Sequence, residues 1–198
     1  MFKKKYFIPV EATKYINLYQ GCNIDCAFCK FNQNVKSVTP NYIDFKEYYQ
    51  ETVLLCYSVD PYPHGYQKDF VPSVLKQLHQ QKCKIVFLTR NALALESDLS
   101  FFQSGDFIGV SISENNPFNS NFLDIRRLFL KAKERNIFTW ISLEPVLTYE
   151  FARQVIHSFQ DVTDFFRVGK NDLIDSSYWQ PVKRKIESLN IPTVFVKN

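Results

Sequence analysis

Apolar residues along this chain follow two alternating patterns: short runs rich in β-branched and aromatic residues, and longer stretches with helical spacing. Between residues 69 and 81, for example, Val71, Val74, Leu75 and Leu78 recur every three or four positions, which places them on one face of a helix. Comparable stretches predict further helices along the chain. The predicted helices are Phe45–Gln50, 69–81, Ala94–Gln103, Asn121–Arg135, Tyr149–Phe159 and Ser177–Leu189.

The short apolar runs alternate with these helices, and the connections between them are only a few residues long. This order predicts a parallel sheet whose strands are joined by crossover helices. Six βα units in 198 residues are too few for a closed eight-stranded barrel, which takes about 250 residues. We therefore expect an α/β fold, a partial (βα)6 TIM-like barrel with a parallel sheet, forming a single domain over residues 1–198. The predicted strands are Tyr15–Leu18, Val53–Ser58, Lys84–Leu88, Phe107–Ile112, Phe138–Leu143, Phe165–Val168 and Thr193–Val196.

The composition is that of a globular protein with a small excess of positive charge. Hydrophobic residues make up 45% of the chain, which is enough to fill a core and too high for a disordered protein. The formal charge of +4 is far from the dense basic surface of a dedicated nucleic-acid binder. No uncharged apolar stretch approaches the roughly 18 to 20 residues that a membrane span needs, and no secretory signal is evident. We therefore expect a cytoplasmic protein without a membrane span.

Three of the five cysteines, Cys22, Cys26 and Cys29, lie within eight residues of one another. An odd number of cysteines without an export signal argues against a disulfide framework. The spacing C-x3-C-x2-C lets three thiolates ligate three irons of a [4Fe–4S] cluster and leaves the fourth iron open, whereas most electron-transfer clusters take four cysteines. A zinc site is the alternative, but it requires a fourth Cys or His, and the nearest candidates, Cys56 and His64, lie one βα unit away.

This cysteine loop resembles the signature of the radical S-adenosylmethionine (SAM) superfamily, including Gly21 before the first cysteine and the aromatic Phe28 before the last. The order of polar segments at the ends of the later strands resembles the spore photoproduct lyase-like branch, from Tyr15 to about Asn171. The resemblance implies two cofactors, a [4Fe–4S] cluster and SAM, with the open iron chelating the methionine moiety. The strand-end segments are Ser58–Tyr62, Leu88–Asn91, Val110–Glu114, Glu144–Leu147 and Val168–Asn171.

The resemblance also implies which residues contact SAM. Ser58 and Asp60 stand where many members carry a Gly-Gly-Glu run that accepts hydrogen bonds from the methionine amino group, so this chain departs from the pattern there. Ser113 and Glu114 occupy the place of ribose ligands, and Gly169 occupies a place where the backbone approaches adenine. The candidate SAM ligands are Phe28, Ser58, Asp60, Ser113, Glu114 and Gly169.

Other polar residues near the strand ends have alternative interpretations. Arg90 could pair with the methionine carboxylate or with an anionic substrate, or it could lie on the surface. Glu144 is a candidate cavity ligand or helix cap, and Lys170 is a candidate substrate contact. Cys56 and Cys83 are predicted to be buried and without a chemical role, since free Cys is a common small hydrophobic residue.

The resemblance implies an enzyme in which the cluster reductively cleaves SAM to a 5′-deoxyadenosyl radical that abstracts hydrogen from a substrate. That substrate is unidentified, and a nucleic-acid lesion, a peptide or a metabolite all remain open. The alternatives are a glycyl-radical-enzyme activase and a non-catalytic zinc-binding module. The implied partners are SAM and an electron donor such as flavodoxin or ferredoxin. Nucleic acid has only weak support from basic residues on predicted helices, and no membrane is expected.

Overall fold

Seven parallel strands form one sheet in the computed structural model, which describes residues 9–24, 26, 29, 38–56, 58–114, 119–170 and 175–197. The sheet strands are β1 (Lys14–Ile16), β4 (Thr52–Leu55), β5 (Lys84–Thr89), β6 (Phe107–Ile112), β7 (Phe138–Leu143), β8 (Phe165–Val168) and β9 (Val194–Val196). A separate antiparallel pair is formed by β2 (Tyr19–Gln20) and β3 (Thr39–Pro40). The helices are α1 (Phe70–Gln80), α2 (Ala92–Asp98), α3 (Phe122–Glu134), α4 (Tyr149–Phe159) and α5 (Ser176–Glu187). Short 3-10 helices cover Phe45–Tyr48 and Leu99–Phe101.

The strand order is β1-β4-β5-β6-β7-β8-β9, so neighbours in the sheet follow one another along the chain apart from the small β2–β3 pair. Every neighbouring pair in this sheet is parallel. This arrangement confirms the predicted α/β partial barrel. The β2–β3 pair was not predicted.

Most predicted boundaries agree with the structure to within one or two residues, and the exceptions have local causes. The second predicted strand, Val53–Ser58, ends early because Cys56 has a φ of 62°, which takes the backbone out of the extended region. The helix predicted over Ala94–Gln103 begins two residues sooner because the Asn91 side chain accepts a hydrogen bond from the Ala94 N–H and caps α2. Its predicted end was wrong by five residues, because α2 ends at Asp98 and the chain continues as the 3-10 helix Leu99–Phe101.

The sheet has an outer face covered by the helices and an inner face without them. The outer-face core includes buried residues of all five helices and of the strands. The inner-face cluster consists of Leu54, Val86, Trp140 and Phe165, with partly buried neighbours, and none of its described members belongs to a helix. At Gly109 a Cβ would lie 2.4 Å from the Trp140 indole, so the glycine allows this ring to cross the face. The inner face is therefore apolar over its amino-terminal half.

Polar caps fix where the later helices begin after the strand-end loops. Asn121, Thr148 and Asp175 each accept a hydrogen bond from a backbone N–H in the first turn of α3, α4 and α5, respectively. These helices therefore start at defined points beside the carboxyl ends of the strands. In the described part of the chain no helix combines the length and apolarity that a membrane crossing requires.

Candidate active site

The cysteine loop begins just beyond the carboxyl end of β1. Tyr19 and Gln20 pair with Pro40 and Thr39, so the two ends of the intervening segment are held together. Gly21 has a φ of 76°, a conformation that favours glycine, and it turns the chain into the loop directly before Cys22. The sequence around the cysteines therefore encodes a closed loop at the edge of the sheet where parallel α/β barrels place their chemistry.

The three cysteines of this loop are free thiols that share one electrostatic environment. Cys22 is buried, and Cys26 and Cys29 are half-buried. Burial raises the pKa of the Cys26 thiol, the positive charge of Arg90 lowers it, and Cys29, Cys22 and Asp60 raise it further. Cys26 thus lies within electrostatic range of the two other cysteines and of the residues that follow β4 and β5.

The donor set fits an iron–sulfur cluster, since thiolates are the ligands that such clusters require. No group of three His, Cys, Asp or Glu side chains in the described ranges is arranged to hold a single metal ion. Sulfur ligands of one tetrahedral zinc ion would have to lie about 3.8 Å apart, given Zn–S bonds of about 2.3 Å. A cluster binds each thiolate through a separate iron, so it does not require the sulfurs to meet at one ion.

Two asparagines attach the cysteine loop to the segment that follows β4. The Asn23 amide donates to the His64 carbonyl at 3.0 Å and accepts from the His64 N–H at 2.9 Å. Asn17 donates to the Ser58 hydroxyl at 2.7 Å and accepts from the Ser58 N–H at 3.2 Å. Ser58 therefore lies beside the start of the cysteine loop. The sequence analysis did not single out Asn17 or Asn23 for this role.

Asp60 connects the end of β4 to the end of β5. One carboxylate oxygen accepts from the Tyr62 N–H at 2.9 Å and the Thr89 hydroxyl at 2.7 Å, and the other accepts from the Arg90 N–H at 2.7 Å. Burial raises the pKa of the Asp60 carboxyl, although these hydrogen bonds and the Arg90 charge oppose the rise. A carboxylate has about four acceptor positions, so Asp60 retains about one for a ligand. Its evident role is to organise the two strand ends.

Arg90 follows β5, and part of its side chain has no partner. Its Nη1 is buried and makes no hydrogen bond in the described structure. The backbone around it is fixed, because Arg90 N–H donates to Asp60 and its carbonyl accepts from Ser120 Oγ at 2.5 Å. An unpaired buried guanidinium nitrogen within electrostatic range of Cys26 could donate to an anionic group.

The predicted ribose ligands Ser113 and Glu114 differ in whether their side chains already make hydrogen bonds within the protein. Ser113 is 1% exposed and its hydroxyl has no partner among the described residues, while Asn119 holds its backbone on both sides. Glu114 accepts from the Leu147 and Thr148 N–H groups at 2.8 and 2.7 Å and from the Thr148 hydroxyl at 2.6 Å. The buried Ser113 hydroxyl is therefore without a described partner, whereas Glu114 fixes the loop that leads into α4.

Glu144 lies among charges that the sequence analysis did not bring together. Its carboxylate accepts from Arg167 Nη2 at 2.5 Å and from Lys197 Nζ at 3.2 Å. Gly169 is next to this group, since a Cβ there would lie 3.2 Å from Lys197 Cβ and 3.8 Å from Glu144 Cδ. The sequence analysis did not select Arg167, because this residue lies inside a predicted apolar strand. An arginine within such a strand is the signal that could have identified it.

The remaining candidates contribute less to the site. Phe28 lies outside the described residues. Lys170 Nζ contacts Ser176 Oγ at 3.0 Å on the exposed surface. Cys56 is buried and burial strongly raises the pKa of its thiol, while Cys83 donates to the Tyr48 carbonyl at 2.7 Å near the amino end of β5. Cys83 is therefore apart from the cysteine loop. Cys56 is closer to it, because its Sγ accepts a hydrogen bond from the Leu18 N–H at 3.5 Å and the Cys22 thiol contributes to its raised pKa.

Comparison with known proteins gives a match in structure but none in sequence. No family model matches the chain, and no curated protein matches it. The fold is similar to that of Streptococcus suis SuiB bound to S-adenosylmethionine, with a TM-score of 0.63 and 12% identity over 93% of this chain and 50% of that one. It is also similar to TsrM from Kitasatospora setae, a radical S-adenosylmethionine methyltransferase with cobalamin and a [4Fe–4S] cluster bound. That match has a TM-score of 0.56 and 12% identity, covering 79% of this chain and 36% of TsrM.

At this level of identity the likeness establishes the shared fold. This chain spans half or less of the length of the two proteins. The fold that SuiB and TsrM share with this chain is the partial barrel described above.

Proposed function

We propose that this chain is a radical SAM enzyme in which Cys22, Cys26 and Cys29 hold a [4Fe–4S] cluster. The observation that carries the proposal is the position of the three thiols, in a closed loop at the carboxyl end of the first strand of a parallel partial barrel. Structures with this fold include one bound to SAM and one with a [4Fe–4S] cluster, which supports the same use of the fold here.

The cluster would supply an electron that splits the sulfonium of SAM, giving methionine and a 5′-deoxyadenosyl radical that abstracts hydrogen from a second substrate. The protein would bind and orient SAM. Ser58, Asp60 and the unpaired Arg90 Nη1 would serve the methionine end. The unpaired Ser113 hydroxyl would bind the ribose, with Glu114 fixing the neighbouring loop.

Phe28 and Gly169 would lie beside the adenine, as the resemblance implies. We further propose flavodoxin or ferredoxin as electron donor, a cytoplasmic location, and a relationship to the spore photoproduct lyase-like branch. The second substrate would be a nucleic-acid lesion, a peptide or a metabolite.

Anaerobic reconstitution with iron and sulfide tests the proposal. We expect about four irons and four sulfides per chain and, after reduction with dithionite in the presence of SAM, release of methionine and 5′-deoxyadenosine. Changing Cys22, Cys26 or Cys29 to Ala removes one of the three iron ligands and should abolish product formation.

Cys83→Ala is the matched control, because it removes a buried thiol that lies outside the loop. It should retain the cluster and the cleavage of SAM. A protein that binds zinc without sulfide, or one that carries a full cluster and does not cleave SAM, would contradict the proposal.

A further inference from the structure

The inner face of β8 carries a guanidinium group whose hydrogen-bonding capacity is only partly used. The Arg167 side chain is 11% exposed, and its Nη2 donates to Glu144. Its Nε is buried and has no hydrogen-bond partner within the described ranges. Leaving a buried donor of a charged group unpaired is costly, so such an atom in a native structure points to a missing partner.

Among the residues that the structure describes, the charged groups paired around Arg167 leave an excess of one positive charge. Glu144 is the acidic member of the group, and Arg167 and Lys197 are its two cations. Each carboxylate oxygen of Glu144 meets one of the cations, so the single negative charge is shared between them. A largely buried cluster with an uncompensated charge is unfavourable unless a further anion joins it.

Gly169 lets the Lys197 side chain pack closely against the backbone beside this cluster. A side chain at this position would begin 3.2 Å from Lys197 Cβ and would crowd the lysine toward Glu144. Because Gly169 directly follows β8, this contact lies at the carboxyl end of the sheet.

We propose that Arg167 and Lys197 form a binding site for an anionic group, a carboxylate or a phosphate, on the inner face of β8 and β9. Glu144 holds the two cations in place and limits their combined charge. Arg167 suits this task because its guanidinium can donate from Nε and a terminal nitrogen to two oxygens of one anion.

This site differs in position from the residues near the cysteine loop. In the order of the sheet, β8 is five strands from β1, whereas β5, which leads to Arg90, is two strands from it. The adenine proposed to lie beside Gly169 carries no negative charge, and the methionine carboxylate is proposed to lie near Arg90, so we assign the anion at Arg167 to the second substrate. That assignment rests on the function proposed above, but the anion site itself does not.

Anion binding to the full chain tests the site without cluster or SAM. Calorimetric titrations with inorganic phosphate and with acetate, at constant ionic strength balanced by chloride, would measure affinity. Arg167→Met should weaken binding of the preferred anion by about tenfold or more, and Lys197→Met should weaken it less, because Lys197 is 36% exposed. The anion that binds more tightly indicates whether the site takes a phosphate or a carboxylate.

Glu144→Gln separates a binding site from a purely structural ion cluster. Removing the competing carboxylate should strengthen anion binding several-fold if the cations are a binding site, whereas a structural cluster would gain no affinity. Arg126→Met is the matched control, because Arg126 pairs with Asp161 on the outer surface and should leave binding unchanged.

The proposal is overturned if neither anion binds the unaltered chain, if Arg126→Met weakens binding as much as Arg167→Met, or if Glu144→Gln leaves the affinity unchanged or weakens it. If Arg167→Met does not fold, Lys197→Met and Glu144→Gln decide the question. Because these titrations involve no turnover, failure of the radical SAM proposal would leave their result intact.

Discussion

At the amino end of the sheet, Asp106 is 2% exposed and accepts hydrogen bonds from the Ile85 N–H, the Gln103 N–H and His79 Nε2, all at 2.8 to 2.9 Å. At the carboxyl end, buried polar groups are less completely bonded. The described atoms without a partner include Arg90 Nη1, Ser113 Oγ and Arg167 Nε, each at or near the end of a strand.

This contrast separates groups that stabilise the fold from groups that await a ligand. A buried polar atom without a partner lowers stability, so a chain retains several of them in one region only where something else compensates. The fourth unpaired atom, Thr163 Oγ1, lies at the amino end before β8, and nothing in the structure explains it. The clustering of the other three supports a ligand-binding surface at the carboxyl end.

The largest effect on stability is expected at the amino end. Asp106→Ala would leave the Ile85 and Gln103 N–H groups and the His79 ring without their acceptor and should lower the free energy of unfolding by about 3 kcal/mol. Urea unfolding measures this loss.

Asp161→Ala, which removes the exposed partner of Arg126, is the control and should cost about 1 kcal/mol or less. Equal losses in the two variants would show that the burial of Asp106 does not matter.

A smaller effect on the free energy of unfolding is expected when Arg167, at the carboxyl end, is replaced, although this residue is also buried and charged. Arg167→Met removes the unpaired Nε together with the excess charge, and Glu144 keeps Lys197 as a partner. Replacing a whole buried ion pair by apolar residues is often neutral or stabilising, whereas removing one partner is destabilising when the other charge is left unpaired, which Lys197 prevents here. We expect a change in the free energy of unfolding within about 1 kcal/mol.

Urea unfolding of the Arg167→Met variant measures this change in the free energy of unfolding. A loss as large as that of Asp106→Ala would mean that Arg167 is needed for folding, and the contrast between the two ends would then fail. A near-neutral result with lost anion binding would show that the residue is retained for a ligand.

The sequence predicted the fold well because the outer face of the sheet depends on local patterns. Helical spacing and short apolar runs located α3, β6, β7, α4 and β8 to within one residue. The β2–β3 pair has only two residues in each strand, too few for any periodic pattern to appear.

The site was less accessible from sequence, because it depends on contacts between distant residues. The cysteine spacing is local and stood out, but Glu144, Arg167 and Lys197 meet only through the pairing of β7, β8 and β9. The use of Asp60 and Glu114 in internal hydrogen bonds was likewise invisible before their partners were placed. A polar residue inside an apolar strand is the signal that would have identified Arg167.

The smallest effect on the free energy of unfolding is expected for Glu96, which belongs to a charged network whose cations are exposed. Glu96 accepts from Arg127 at 2.6 to 3.0 Å and from Lys131 at 2.6 Å, and the two cations are 47% and 53% exposed. These hydrogen bonds, from Arg127 above all, lower the pKa of the Glu96 carboxyl to about 2. Because the folded pKa lies below the unfolded value of about 4.3, the stabilisation is complete above that value and is lost as the pH falls toward 2.

Glu96→Gln should therefore reduce the free energy of unfolding by about 1 kcal/mol or less at pH 6, and the difference from the unaltered chain should disappear as the pH approaches 2. Urea unfolding at several pH values measures it, and 1 M salt should reduce the difference at pH 6, since exposed charges are screened. If the difference instead stayed constant from pH 6 to pH 2, the carboxylate charge would not be its source. A small, salt-sensitive effect here beside a large one at Asp106 would show that burial, more than the number of hydrogen bonds, makes the amino end stabilising.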